Sequence, residues 1–419
     1  MAKYDLREGQ ITALSTWTRL TTVGPETRNA IVVPAGMHSI KEIVGSFGSS
    51  VTTDSTGHLM GVRISGLKYG NYETLIGGQS NGVTVGNGGT SWVSKASKLI
   101  TNLAVVPGAE LWIEGCMVGG ADSGTINCQV QLTFDAAEGE KRYSFIRWLT
   151  ATVVDTKYAA INDATTATAY GIKIPSDAVR ISSMVTAVGG ILDQTAAGGT
   201  AHVRLEGGLP DGDFSITAGG GATLNTTAAD SGGQFISDQV RTNVVVSPGA
   251  MLNVYVESTG VTWTDPYVGI AIEMACSMNG ARMTYRTREG PVAAGDAWVL
   301  LATLGDLATP GPLTVPTGFN RIVQVIAGIG DSAPTAAIRN MTFVMKLTGI
   351  NDGEALMNIG AVTGIVVGAA GCGTTTNGAM LYDVDMGVTP GNILSPYVAG
   401  ALGVDTSAPE VSITYGFIA

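Results

Sequence analysis

Residues 101–109 read Thr-Asn-Leu-Ala-Val-Val-Pro-Gly-Ala, and residues 242–250 read Thr-Asn-Val-Val-Val-Ser-Pro-Gly-Ala. Their prolines, Pro107 and Pro248, stand 141 residues apart, and Pro390-Gly391 supplies a third copy 142 residues further on. Each Pro-Gly follows an apolar run. This pattern predicts a strand that ends in a type II turn, because Pro fixes φ of the first central residue and Gly takes the positive φ of the second.

Three further patterns recur in the same order along the chain. Short apolar runs end at prolines that are again 141 residues apart: Pro34, Pro175 and Pro316. Apolar–basic–apolar trios follow at 62–64, 203–205 and 345–347. A Glu-Gly pair and a later Trp open each copy: Glu8-Gly9 with Trp17, Glu138-Gly139 with Trp148, and Glu289-Gly290 with Trp298. Such repetition predicts three tandem copies of one domain, at 1–137, 138–287 and 288–419.

Within each copy the pattern is that of short strands. Helical periodicity is almost absent, while Val, Ile and Thr dominate the ordered-looking stretches, as at 242–246 and 411–415. Gly, Pro, Asn, Asp and Ser interrupt these stretches at roughly 8–12 residues, the spacing of sandwiches and barrels. We therefore expect an all-β protein of three homologous antiparallel β-sandwiches, jelly-roll-like, in a pseudo-threefold arrangement.

The composition limits the classes of partner. The net charge is −11 and the sequence pI is near 4.7, with no run of Lys and Arg, so we expect no direct contact with nucleic acid. Charged residues make up only 14 % of the chain, against about 25 % in soluble domains. A surface with so few charges is suited to being covered by neighbours. The third predicted unit is the most acidic and the first is nearly neutral.

No catalytic constellation is present in the sequence. It contains no GxSxG, HExxH or P-loop, and the three histidines (His38, His58 and His202) do not recur between the units. The glycine-rich stretch 82–86 is interpreted as a loop. We therefore predict no enzyme activity, no catalytic residue and no cofactor.

The sequence gives equally little support for a metal site or a disulfide. The acidic pairs Asp211/Asp213 and Asp383/Asp385 have no EF-hand continuation, so turn chemistry and a solvated strand explain them better than calcium. No CxxC occurs, so we predict no metal site. Cys116 and Cys128 are interpreted as buried free thiols, with a disulfide across a hairpin as the alternative. The remaining cysteines are Cys276 and Cys372.

The chain offers no targeting or membrane segment that we recognise. Its first eight residues lack an apolar region, so we expect no signal peptide. The longest bland apolar run, 359–372, is shorter than the roughly 18 residues of a spanning helix, so we expect no membrane span.

Tryptophans are the main candidates for a binding surface. The repeated Trp17, Trp148 and Trp298 are either a stacking platform for a sugar or base, or core and unit–unit contacts, and the second interpretation is favoured. The remaining three occur in one unit each and are weaker candidates for a partner surface: Trp92, Trp112 and Trp263.

In architecture and composition the chain resembles viral coat, cement or decoration proteins built from jelly-roll or related sandwiches. That resemblance implies a self-assembling structural protein of the virion, on the outer capsid surface as coat or decoration protein, with other capsid proteins and copies of itself as partners. It implies localisation to the virion. The alternative is a triplicated carbohydrate-binding or adhesion module that meets a host-surface glycan.

Overall fold

A computed structural model describes eighteen segments of the chain: residues 3–11, 16–22, 30–49, 59–77, 97–119, 126–149, 159–160, 162–163, 171–189, 200–212, 214–218, 236–259, 267–291, 297–303, 306–330, 342–359, 380–402 and 410–419. All regular structure in these segments is β-strand, and every strand pair is antiparallel. Within them, no helix has the length and hydropathy that crossing a membrane requires. The expected all-β class is confirmed.

The first unit is a sandwich of two sheets. Its strands are β1 (Lys3–Ile11), β2 (Thr18–Arg19), β3 (Thr21–Thr22), β4 (Ile31–Val32), β5 (Ser39–Ser49), β6 (Leu59–Leu67), β7 (Gly70–Gly77), β8 (Ser97–Ala104), β9 (Glu110–Gly119) and β10 (Ile126–Asp135). One sheet has the order β3-β1-β10-β5-β8 and the other has the order β2-β9-β6-β7, with β4 also paired to β9. With β2 and β4 counted as one position, the eight positions run 1-8-3-6 and 2-7-4-5, which is the jelly-roll order.

The second unit repeats this order. Its strands are β11 (Arg142–Leu149), β12 (Ala159–Ala160), β13 (Asn162–Asp163), β14 (Gly171–Lys173), β15 (Arg180–Gly189), β16 (Thr200–Glu206), β17 (Phe214–Ala218), β18 (Ile236–Val245), β19 (Met251–Thr259) and β20 (Tyr267–Ala275). The sheets are β13-β11-β20-β15-β18 and β12-β19-β16-β17, with β14 also paired to β19.

The third unit repeats the order again. Its strands are β21 (Met283–Pro291), β22 (Val299–Leu300), β23 (Ala302–Thr303), β24 (Asp306–Pro310), β25 (Leu313–Thr314), β26 (Arg321–Gly330), β27 (Thr342–Ile350), β28 (Gly353–Ile359), β29 (Met380–Gly387), β30 (Ile393–Leu402) and β31 (Glu410–Ile418). The sheets are β24-β23-β21-β31-β26-β29 and β22-β30-β27-β28, with β25 also paired to β30. In each unit we call the sheet with the first and last long strands the first sheet.

The Pro-Gly turns have the predicted geometry. Gly108, Gly249 and Gly391 have φ of +82°, +79° and +83°, values that side chains with a Cβ rarely adopt. In the first turn the N–H of Ala109 donates to the carbonyl of Val106 at 3.0 Å, which closes the four-residue turn. Each turn joins a strand of the first sheet to one of the second.

Two details of the predicted repeat are wrong. Trp17 and Trp298 each directly precede the short strand that opens the second sheet, whereas Trp148 lies inside β11, opposite Gly269. The prediction matched the copies by a Glu-Gly pair whose distance to the tryptophan varies, so it aligned tryptophans that lie at different strand positions. In addition, the expected start of the third domain at 288 falls inside β21, the whole of which pairs with β31. The division of the chain into three domains otherwise stays a prediction.

Three apolar clusters fill the sandwiches, and two of them recruit residues from the next unit. The first cluster includes Ile146, Val185 and Ala271 of the second unit, and the second cluster includes Tyr285 and Ile326 of the third. The units are therefore stacked in sequence through shared cores. Tyr4 on β1 and Leu356 on β28 are exposed, by 65 % and 60 %.

Candidate functional site

The most elaborate polar chemistry in the described residues lies where consecutive units meet. In the first junction, the edge formed by β7 and β8 rests on the outer side of the second unit's first sheet. The N–H of Glu73 donates to Ser144 Oγ at 2.6 Å. The side-chain amide of Gln239 bonds both the N–H and the carbonyl of Ile100, each at 2.8 Å. Side chains of one unit thus satisfy the edge backbone of the other.

Glu273 is the buried centre of this junction. Its side chain is 4 % exposed, in a strand that otherwise carries apolar residues. It accepts hydrogen bonds from Ser182 Oγ at 2.6 Å and from Thr101 Oγ1 of the first unit at 3.3 Å, and it is ion-paired with Arg142. Burial and the neighbouring Glu273 raise the pKa of Tyr72 well above its usual value. Buried carboxylates require such partners, so the network fixes how the units dock.

A second carboxylate, Glu140, extends the network. It is ion-paired with Arg142 and lies 3.1 Å from Arg180 Nη2. It also accepts hydrogen bonds from Ser277 and from Asn279. These contacts tie the link between the first two units to the end of the second.

Next to this network is a cavity of about 540 Å³, lined by residues of all three units. Among its described lining residues are three arginines, Arg142, Arg180 and Arg241. Glu140 and Glu273 neutralise the first two arginines. The charge that these two arginines bring to the cavity is therefore compensated within the protein.

The second junction uses the same surfaces with different chemistry. The edge strand β17 contacts the third unit's first sheet, where the N–H of Thr287 donates to Ser215 Oγ at 2.9 Å. Phe214 packs edge-to-face on Tyr285, with ring centroids 5.4 Å apart. Burial raises the pKa of Tyr285 above its usual value. The first junction is centred on a buried carboxylate, whereas the second includes a buried aromatic pair.

His202 is buried in this second junction. The distance from His202 Nε2 to Glu289 Oε2 is 3.8 Å, and both side chains are at most 2 % exposed. Burial lowers the pKa of His202 to about 3. The ring is therefore neutral over the physiological range. His38, the other described histidine, lies 3.6 Å from Glu138.

The three described cysteines are free thiols, as the favoured interpretation predicted for Cys116 and Cys128. Cys116 lies on β9 and Cys128 on β10, which belong to opposite sheets and do not form the hairpin considered from the sequence. Burial raises the pKa of both thiols to about 12. Cys276 is half-buried, with its pKa raised to about 11 by desolvation and by Asp177.

The described members of the acidic pairs, Asp211, Asp383 and Asp385, lie at the surface or in ion pairs. Asp211 lies 3.1 Å from Arg282 Nη2. Asp383 and Asp385 are exposed on β29, and Asp385 is ion-paired with Arg321. In the described part of the chain, His, Cys, Asp and Glu form no group of three that could hold a metal.

Three of the tryptophans, Trp17, Trp112 and Trp298, stack against cations. Arg63 lies 4.1 Å above the ring of Trp17, and Lys346 lies 4.5 Å above the ring of Trp298. Trp17 packs against the first core, whereas Trp298 is 39 % exposed. Trp112, unique to the first unit, has Arg19 4.1 Å above its ring. One face of each of these rings is therefore already occupied.

Several residues considered from the sequence lie outside the described segments: His58, 82–86, Trp92, Asp213, Trp263, 360–371 and Cys372. Sequence reasoning missed Glu140 and Glu273. The only signal for Glu273 was a lone carboxylate in the apolar alternation of residues 270–274.

Comparison with known proteins gave matches only among solved structures. No family model matches the chain, and no curated protein sequence matches it. The major capsid protein (MCP) of the virus STIV is 10 % identical, with a TM-score of 0.32 over 66 % of this chain and 96 % of that one. The major capsid protein P2 of bacteriophage PM2 is 9 % identical, with a TM-score of 0.27 over 66 % and 97 %.

A third match is a structure described as a triple jelly-roll fold and turret assembly in an archaeal virus. The match covers 99 % of this chain and 90 % of that one. Its identity is 9 % and its TM-score is 0.20. The chain is thus similar to capsid and jelly-roll proteins of viruses, in line with the resemblance stated above. Likenesses this distant say nothing about function, and the jelly-roll assignment rests on the strand order of the chain itself.

Proposed function

We propose that the chain is a structural protein of a virion. It lies on the outer capsid surface, as a coat or a decoration and cement protein, and packs there against capsid neighbours and copies of itself. The observation that carries this proposal is the way the sandwiches are joined. Two buried junctions unite three jelly rolls into one stack, and the same kinds of sheet surface remain uncovered at its two ends.

Charge and burial support a structural rather than a catalytic role. The buried carboxylates Glu140 and Glu273 are engaged in ion pairs with Arg142, and Glu273 also accepts a hydrogen bond from Thr101 of the first unit. The surface carries few charges, and the 14 % charged fraction fits a body that neighbours cover. We infer from the acidic pI that the contacts are with protein and not with nucleic acid.

A carbohydrate-binding or adhesion module is the second candidate. The observation that favours it is Trp298, 39 % exposed, with Tyr397 and Trp298 both within reach of Lys346. Against it, Trp148 does not occupy the equivalent strand position, so the platform is not repeated three times.

The test uses antiserum raised against the purified chain and virus particles from the source of the sequence. Mass spectrometry of purified particles is expected to detect the chain, and gold-labelled antiserum is expected to decorate intact particles. Absence of the chain from particles contradicts the virion role. Detection by mass spectrometry without labelling of intact particles contradicts the outer position. Glycan-array binding that Trp298→Ala abolishes, together with absence from particles, establishes the second candidate instead.

A further inference from the structure

In each of the first two units, one edge of the sandwich is covered by the next unit. In the first unit this edge consists of β7 and β8, where Tyr72 and Thr74 are 3 % and 1 % exposed. A cross-strand row of the second unit, Ile146–Ala271–Val185, belongs to the apolar cluster that covers it. The outer side of one first sheet thus completes the core of the preceding unit.

The second and third units repeat this arrangement. The edge strand β17 carries Phe214 at the position of Tyr72, since these residues pair with Leu205 and Ile64 at corresponding places in their sheets. Phe214 is 0 % exposed. The covering row is Thr287–Thr414–Ile326, at most 4 % exposed, which corresponds in strand position to Ile146–Ala271–Val185.

In the third unit the corresponding edge is open among the described residues. Strand β28 carries Ala355, Leu356 and Met357 opposite Leu347, Lys346 and Met345. Leu356 is 60 % exposed, and the others pack only partly buried against the third core, as do Tyr382 and Val384 of β29. We call the surface formed by Ala355, Leu356, Met357 and Tyr382 the free edge.

In the first unit the outer side of the first sheet is uncovered at its described residues. The row Leu6–Gln131–Val44 corresponds to the two covering rows, but all three of its residues are only half-buried. Tyr4, beside this row, occupies the strand position of Tyr285. The strand partner of each tyrosine is the residue that directly precedes a core phenylalanine, next to the β-bulge of its sheet. Tyr285 is fully buried, whereas Tyr4 is 65 % exposed. We call Tyr4, Leu6, Val44 and Gln131 the free face.

We propose that the free face of one copy of this chain covers the free edge of another copy, as the second unit covers the first and the third covers the second. The occupant is a second copy because the chain itself shows twice what covers such an edge. Beside the free face Lys3 is exposed, while Lys41 and Lys98 are ion-paired with Asp135 and Glu42 of the same sheet. Beside the free edge the exposed charges are acids, at Asp352, Glu354 and Asp383.

Such a contact joins two different surfaces, so it extends head to tail and ends only if the copies close into a ring. The inference deepens the proposed coat function by naming one contact between copies, and it can fail while that function stands. If the chain is present on particles but assembles through other surfaces, the head-to-tail contact is contradicted and the proposed coat function is not.

The experiment measures the mass of the full chain by light scattering and sedimentation over a range of concentrations. The wild type is expected to assemble in steps of one chain of 42.9 kDa. Tyr4→Arg blocks the free face and Leu356→Arg blocks the free edge. Each variant alone is expected to need at least about tenfold higher concentration to assemble, because the substitution places a charge in the centre of the contact.

The equal mixture of the two variants is the decisive arm. It retains one intact edge, on Tyr4→Arg, and one intact face, on Leu356→Arg, so it is expected to form a complex of two chains and nothing larger. The matched control is Ile393→Arg, which lies on β30 in the same unit and is equally 60 % exposed. It is expected to assemble like the wild type.

Three results overturn the proposal. The first is a wild type that stays monomeric up to about 1 mM, where even weak specific contacts are populated. The second is either single variant assembling like the wild type. The third is a mixture that grows beyond two chains or forms no complex. Both substituted positions are exposed, and an unchanged circular-dichroism spectrum verifies that each variant is folded.

Discussion

The aromatic contact between the second and third units offers a quantitative test of how the stack is held together. Phe214 and Tyr285 are each 0 % exposed, and their rings meet edge-to-face at 5.4 Å and 71°. Truncating either buried ring to Ala is expected to cost about 3–5 kcal/mol. The pair itself contributes about 0.5–1.5 kcal/mol beyond burial, because the positive edge of one ring faces the negative face of the other.

A double-mutant cycle isolates that contribution. Phe214→Ala and Tyr285→Ala together are expected to cost less than the sum of the single variants, by about 0.5–1.5 kcal/mol. Since the units need not unfold in a single step, the free energies are best taken from hydrogen exchange of the amides of β17 and β21. The control cycle pairs Tyr285→Ala with Phe134→Ala, a ring buried in the first cluster.

The control pair is expected to be additive within about 0.5 kcal/mol, because its members share no cluster. The reasoning is refuted if Phe214 and Tyr285 are equally additive. It is also refuted if Phe214→Ala destabilises β17 but leaves exchange in β21 unchanged, since the two units would then be stable independently of the contact.

Three further outcomes are expected. Glu273→Gln should lower the free energy of unfolding by about 1.5–3 kcal/mol in urea, because it removes one of the two carboxylates that pair with the buried Arg142 guanidinium. Stability should fall by about 1.4 kcal/mol per pH unit as the pH drops from about 6.5 towards 3, since His202 takes up a proton only when unfolded. At pH 8 a thiol reagent should modify Cys276 first and reach Cys116 and Cys128 only at the rate of unfolding.

Each of these has its own control. Glu354→Gln removes an exposed carboxylate and should change the free energy of unfolding by less than about 0.5 kcal/mol. If Glu273→Gln caused an equally small change, the network around Glu273 would not stabilise the fold. His202→Gln should flatten the pH dependence between 6.5 and 3, and an unchanged slope would assign it to other groups. Glu289 acts against the burial of His202 by favouring the charged ring, but complete desolvation outweighs it. Fast labelling of Cys128 in the folded chain would contradict its burial.

Much of the fold was accessible from local sequence signals. Strands were predicted correctly from Val, Ile and Thr at 242–246 and 411–415, because β-branched residues suit a pleated, half-buried surface whatever lies above it. The Pro-Gly turns at Pro107, Pro248 and Pro390 were correct for the same reason, since φ constraints act on single residues. The strand position of Trp148 was predicted wrongly because the match allowed one extra residue between Glu-Gly and Trp. A shift of one residue along a strand moves a side chain to the other face of the sheet, so such a match cannot determine the register.

By itself, then, the sequence determined the all-β class and the sandwich architecture, which depend on turn chemistry and on an alternation of period two. Only the tertiary structure decided which sheet surfaces are covered. Leu6, Ile146 and Thr287 stand at equivalent strand positions, yet Ile146 and Thr287 are buried between units while Leu6 is only half-buried. Burial of this kind depends on what packs above the sheet, and residues distant in the chain supply it.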